Sequence, residues 1–179
     1  MIDSIYLPEM TEIVEAEMVS PHEKLFRLRF RDGRSLGHKP CQFVEVSILG
    51  TGEAPISISS PPYITDSFDL CVRACGNVTN ALHRLGAGDA VGIRGPFGNG
   101  VDLDEFGGRD LLFVAGGSGI VPLRSLIAEA VRRASEFKSL TVLYGTKTPE
   151  ELLFSNEFAE WERHATCRIT VDRKAPNWN

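Results

Sequence analysis

No stretch of this 179-residue sequence approaches the ~20 consecutive apolar residues that crossing a bilayer as a helix requires. The N-terminus lacks a basic segment followed by an apolar one. It carries Asp3, Pro8 and Glu9 instead, so no secretory leader is visible. Cysteine is scarce: four residues, none in a Cys-x-x-Cys pair, exclude a disulfide scaffold and lend little support to a metal centre. The expected setting is the cytoplasm, with thiols reduced. Positive charge is in deficit, with 19 Lys and Arg against 24 Asp and Glu and a net charge of −5. That balance argues against a dedicated grip on nucleic acid. Internal repeats and low-complexity segments are absent, and His22, His38, His83 and His164 stand apart with no paired acidic motif. What remains is a globular composition, 42% hydrophobic and 24% charged.

The hydrophobic period divides the chain in two. Up to about Gly100, residues 11–20, 25–30, 42–49, 55–59, 67–75 and 90–94 read as short strands broken by Gly and Pro, with one helix over 80–85. This predicts a six-stranded antiparallel barrel over residues 1–100. Residues 110–115 are nearly continuous apolar, as for a strand buried on both faces. From Ile120 a helical stripe runs through Leu123, Leu126, Ile127, Ala130, Val131 and Ala134. A strand over 140–144 follows. A second helix is marked by Phe154, Phe158 and Trp161 with Ser155 as its cap, and a third strand covers 168–171. Strand, helix, strand, helix, strand predicts a parallel α/β unit over 109–179, joined to the barrel through 95–108. Cys71 and Cys75, four apart, are expected to face one side of a strand. Buried, inert thiols are the expected state of the cysteines.

The segment Gly116-Gly117-Ser118-Gly119 lies between a predicted strand and a predicted helix. Glycines allow a sharp turn and close approach of a ligand, and a helix start favours phosphate. Pro122 suits a first helical turn. A phosphate loop of the Walker type is excluded because Gly-Lys-Ser/Thr is missing. A nucleophile elbow is excluded because Ile120, not Gly, stands two residues after Ser118. The dinucleotide fingerprint fails at Pro122. On spacing alone the turn is either a nucleotide cradle or a plain connection.

The turn belongs to an ordered set of motifs: Pro55-Ile56-Ser57-Ile58, Gly76-Asn77-Val78-Thr79, Gly95-Pro96-Phe97-Gly98, the glycine turn, Tyr144-Gly145, and Asp172-Arg173 with Trp178. In this order the chain resembles the ferredoxin–NADP⁺ reductase superfamily over residues 11–179. Within it, the chain is most similar to the flavin-bearing electron-transfer subunits of sulfhydrogenase, anaerobic sulfite reductase and dihydroorotate dehydrogenase complexes. The resemblance implies an FAD-binding barrel followed by a truncated nicotinamide-nucleotide domain. It implies that Pro55, Ile56, Ser57 and Ile58 form the flavin strand, with Ser57 near flavin N5 as the catalytic residue. Ala54 stands where the family has the Arg that pairs with the flavin pyrophosphate, and Arg73 is a candidate substitute counter-charge for it. Gly76, Asn77, Val78 and Thr79 would hold the FAD pyrophosphate. Gly116, Gly117, Ser118 and Gly119 would hold the NAD or NADP pyrophosphate. Lys147 would meet a 2′-phosphate, or Glu150 or Glu151 a 2′-hydroxyl.

The implied activity is that of an oxidoreductase subunit. It would pass hydride from NAD(P)H to FAD, and electrons onward to an iron–sulfur protein or hydrogenase-type subunits. Hydride transfer needs proximity more than acid–base groups. The alternative is a docking or assembly subunit that keeps the fold without flavin. A [2Fe–2S] group is expected only in a segment outside this chain. Relatives continue beyond the third parallel strand, so an open edge on the first strand is expected to cause association or a loosened second half.

Overall fold

The computed structural model describes residues 6–173; Trp178 lies outside them. The first half contains β1 (Glu9–Met18), β2 (Glu23–Phe30), β3 (Phe43–Ile48), β4 (Gly52–Ser57), β5 (Phe68–Arg73), helix α1 (Asn77–His83) and β6 (Ala90–Phe97). These strands form an antiparallel sheet in the order β4-β3-β6-β1-β2-β5. Just past β4, Ile58 bridges to Leu70 on β5, and the Ser59 amide donates to the Asp69 carbonyl at 2.9 Å. The two edge strands therefore meet and the sheet closes into the expected barrel.

Alternation builds its core. Phe26, Leu28 and Phe30 of β2 point inward with Val44, Val46, Ile58, Phe68 and Leu70. Arg27 and Arg29 point outward to Glu15 and Glu12 on β1. Each fully buried aliphatic or aromatic side chain contributes about 1.5–3 kcal/mol.

The second half contains β7 (Asp110–Gly116), α2 (Ile120–Arg132), β8 (Ser139–Thr146), α3 (Phe158–Trp161) and β9 (Thr166–Val171). Its strands pair parallel in the order β7-β8-β9. Ile120, Ile127 and Ala130 of α2 pack on Phe113, Val142 and Tyr144 of the sheet. The strand over 110–115 departs from its expectation of burial on both faces. Phe113 and Ala115 are buried, whereas Leu112 and Val114 are 60% and 63% exposed. The cause is position: among the described residues β7 is an edge strand and α2 covers one face.

Other departures are local. Helix α1 starts three residues earlier than read, because Thr79 accepts hydrogen bonds from the Cys75 and Gly76 amides and closes the turn there. Ser155 makes no cap. Phe154 takes that place in a left-handed conformation (φ 58°), with its ring buried, and a 3₁₀ turn over Ser155–Glu157 leads into the four-residue α3. Cys71 and Cys75 differ in burial because β5 ends at Arg73, between them.

β5 is buried on both faces, and this joins the halves. Phe68, Leu70 and Val72 face the barrel core, whereas Cys71 packs in the core of the second half with Val19 and Leu25. Asp69, on that same outer side, accepts from Arg27 Nε and Arg124 Nη1, each at 3.0 Å. Arg124 of α2 also binds Glu157 at 2.7 Å and stacks over Phe154. Burial alone would push the Arg124 guanidinium down. Glu157 and Asp69 outweigh that and hold it above its ordinary value.

Candidate functional site

Two clefts meet where the halves touch. The first, about 330 Å³, is walled by Ala54, Pro55, Ile56 and Ser57 of β4, by Cys71–Arg73 of β5 with Cys75 and Thr79, and by Ser118, Val121 and Pro122. The second, about 490 Å³, lies at the C-terminal ends of the parallel strands, where open α/β sheets take ligands. Gly116–Ser118, Gly145, Thr146, Lys147, Glu151 and Asp172 surround it, with Arg73 reaching in from the barrel. Arg73 and Ser118 border both. A larger cleft, about 570 Å³, runs between Tyr63 and Ile64 of the barrel and α2 and α3. It includes neither β4 nor the glycine turn, so size does not mark the site here.

The glycine turn is a tight 3₁₀ turn, Gly117–Gly119, leading into α2. Only Gly117 needs its residue type for conformation (φ 51°). At Gly116, Gly117 and Gly119 an added Cβ would meet nothing within 4 Å. The chain itself therefore leaves open space over this turn, as close approach of a phosphate group requires. Ser118 is exposed above it. Pro122 occupies the first turn of α2 as expected, and its carbonyl accepts from the Cys41 thiol at 3.6 Å across the junction.

On the barrel side, Ser57 is half-buried, faces the cleft, and its hydroxyl makes no hydrogen bond among the described residues. Such a group is available to a ligand atom. Ile56 offers an apolar wall beside it. Ile58 does not belong to this wall: it is fully buried in the barrel core, where the sheet closes. Ala54 lines the cleft and leaves it without a cation at that point. Neighbouring Arg94 does not substitute, because its guanidinium is held by both oxygens of Glu53 at 2.6–3.0 Å. Arg73 is the cation that both clefts contain, and its Nε is tied to Glu23 at 2.5 Å.

Thr79 also departs from expectation. Its hydroxyl oxygen accepts from the Cys75 and Gly76 amides and its hydroxyl donates to the Gly76 carbonyl at 3.2 Å, so it shapes the loop. Gly76, Asn77 and Val78 do not line the first cleft; they form the start of α1, where first-turn amides lack carbonyl partners within the helix. Of the two acids considered for a ribose, Glu151 lines the second cleft. Glu150 is turned to its own amide and the Thr148 hydroxyl, which hold its carboxyl below the usual range. Asp172 was missed as a site residue. Its amide bonds the Thr146 carbonyl at 3.0 Å, which sets it beside Lys147 at the strand ends. The signal was its place at the end of the third parallel strand. Among the histidines, Nε2 of His38 and of His83 donates to the Ser60 and Val72 carbonyls, at 2.9 and 2.7 Å, and both rings lie outside the two clefts.

Residues 10–101 match the oxidoreductase FAD-binding domain, and residues 113–179 match the oxidoreductase NAD-binding domain. The chain belongs to the family of FAD- and NAD-binding oxidoreductases. It is 37% identical to the sulfhydrogenase 1 gamma subunit of Pyrococcus furiosus over 98% of this chain and 63% of that protein. It is 41% identical to a probable dihydroorotate dehydrogenase B electron transfer subunit of Methanocella arvoryzae, over 78% of this chain and 48% of that one. The chain thus spans between about half and two thirds of these relatives' lengths. The phthalate dioxygenase reductase structure superposes with a TM-score of 0.78 at 22% identity, covering 95% of this chain and 53% of that one. The cytochrome b5 reductase domain of Ulva prolifera nitrate reductase gives 0.79 at 20% identity, over 98% of this chain and 78% of that one. These two likenesses show the fold. No helix among the described residues is long and apolar enough to cross a membrane.

Proposed function

We propose that this chain binds FAD against β4 and NAD(P)H at the glycine turn, and works as the flavin-bearing electron-transfer unit of a multi-subunit redox assembly. One observation carries the reading: Ser57 and Ser118, from opposite halves of the chain, line a single cleft. The division follows the two halves, residues 1–100 for flavin and 109–179 for the nicotinamide nucleotide. The residues that would hold FAD are Pro55, Ile56 and Ser57 on one wall and Gly76, Asn77 and Val78 at the start of α1. Gly116, Gly117, Ser118 and Gly119 would hold the nicotinamide-nucleotide pyrophosphate, with Arg73 supplying a cation from the barrel side. Bound FAD would supply a two-electron acceptor able to release electrons singly to an iron–sulfur partner.

The chain's own contribution is placement. Ile56 and Val121 exclude water, and Ser57 offers its free hydroxyl to N5. The fixed junction keeps both clefts in register, which is the main requirement of hydride transfer. Lys147 opposes Glu151 and Asp172 in the second cleft, so both cofactor forms are to be compared directly. The protein is purified and its flavin extracted, then titrated with NADH and NADPH. A yellow protein whose absorbance bleaches on titration supports the reading. Protein that neither retains nor takes up FAD refutes it and favours the second reading, a docking subunit, to which Ala54 points. In the flavin-loaded protein, Ser57→Ala lowers the rate of flavin reduction in stopped flow. An unchanged rate removes Ser57 from the chemistry.

A further inference from the structure

Glu23, the first residue of β2, is 1% exposed and lies opposite Arg73 in the β2–β5 ladder. One carboxylate oxygen accepts from Arg73 Nε at 2.5 Å, and the other accepts from the Ser20 hydroxyl. The Ser20 oxygen in turn accepts from the Glu23 and His22 amides, at 2.9 and 3.0 Å, so the turn before β2 encloses the carboxylate. Burying a carboxylate is a poor route to stability, since apolar residues of similar size often serve as well or better. The geometry has another use. Only Nε of Arg73 is engaged; the two terminal nitrogens have no partner among the described residues, and the side chain, 42% exposed, borders both clefts. Glu151 also borders the second cleft and attracts the same guanidinium. An untethered Arg73 would be drawn to Glu151 and away from a ligand phosphate.

We infer that Glu23 is a positioning residue: it holds Arg73 edge-on, with its fork directed at the pyrophosphate of a nucleotide in the glycine-turn cleft and withheld from Glu151. The inference rests on the nucleotide-binding reading above. The barrel thereby completes the nucleotide site of the other half.

The test is titration of the FAD-loaded full chain with ADP-ribose, which carries the pyrophosphate without the nicotinamide. Glu23→Gln keeps the side-chain volume and leaves no buried charge unpaired. It raises the Kd about tenfold, the worth of one charge-assisted hydrogen bond. In a Glu151→Gln background the same substitution costs less than about twofold, because the competing carboxylate is gone. Ser20→Ala, which releases the other carboxylate oxygen, raises the Kd in the same direction by less and guards against a Glu23 variant that fails to fold. An unchanged Kd in Glu23→Gln with flavin retained overturns the inference. So does an equal loss with and without Glu151, which would assign Glu23 to the fold alone. A wild-type protein that binds FAD but no ADP-ribose overturns the nucleotide reading along with it.

Discussion

Arg124 joins the two halves, and its removal has a calculable cost. It is 12% exposed and holds Asp69 of the barrel at 3.0 Å and Glu157 at 2.7 Å, with its guanidinium 4.6 Å from the Phe154 ring centre. Arg124→Met keeps the stem and removes the charge. Breaking a buried ion pair costs roughly 3–5 kcal/mol when the partner is stranded. Here Asp69 keeps Arg27, and Glu157, 24% exposed, can turn to water, so the lower end applies. The lost contact with Phe154 adds about 1 kcal/mol. A total of about 4 kcal/mol lowers Tm by roughly 8–16 °C for a chain of this size. Calorimetry at neutral pH measures it. Because α2 carries the glycine turn at its start, the same variant also slows flavin reduction by NAD(P)H at temperatures where the protein stays folded. Combined with Asp69→Asn, the loss is less than additive. A Tm within about 2 °C of wild type would show that the junction does not depend on Arg124.

The cysteines separate by environment. Burial, first of all, pushes the Cys71 thiol up to about 12, whereas Cys75 is exposed at the first cleft. A thiol reagent at pH 8 therefore modifies Cys75 and spares Cys71, and added FAD protects Cys75; peptide mass spectrometry reads both, and equal labelling of Cys71 contradicts the packing described. Hydrogen bonds from Arg94, then from Ser47, hold the Glu53 carboxyl at about 2 against an ordinary 4.5. A carboxylate with a lowered folded pKa stabilises fully above its unfolded pKa, and that contribution fades as pH falls from about 4.5 toward 2. Glu53→Gln accordingly loses less stability than wild type across that window in urea titrations, and parallel curves would remove Glu53 from the acid response.

Much of the fold was legible because the period of the hydrophobic residues changes at residues 95–108. Alternation exposed the barrel strands, and the stripe from Ile120 exposed α2. The glycine turn was legible because its residue types suit a sharp bend that leads into a helix. What failed depended on tertiary position. The run over 110–115 carries no mark of which face lies open, since an edge strand and a central one can share the same composition. Ile58 looked like a wall residue by its motif, but the closing bridge to Leu70 turns it inward. Glu23 gave no signal at all: a lone acid at a strand start reads as solvated, and only the cross-strand register reveals its partner. Thr79 was read as a donor to a ligand, yet the local turn takes its hydroxyl first: the oxygen accepts from the Cys75 and Gly76 amides, and the hydroxyl donates to the Gly76 carbonyl.

β5 behaves as a party wall. Leu70 and Val72 belong to one interior and Cys71 to the other, with Asp69 pinned to α2 from the outer side. Exchanging either half for that of a distant homologue would thus leave mismatched side chains along this one strand. A workable chimera has to be cut around β5, carrying its outward residues together with the helix they meet.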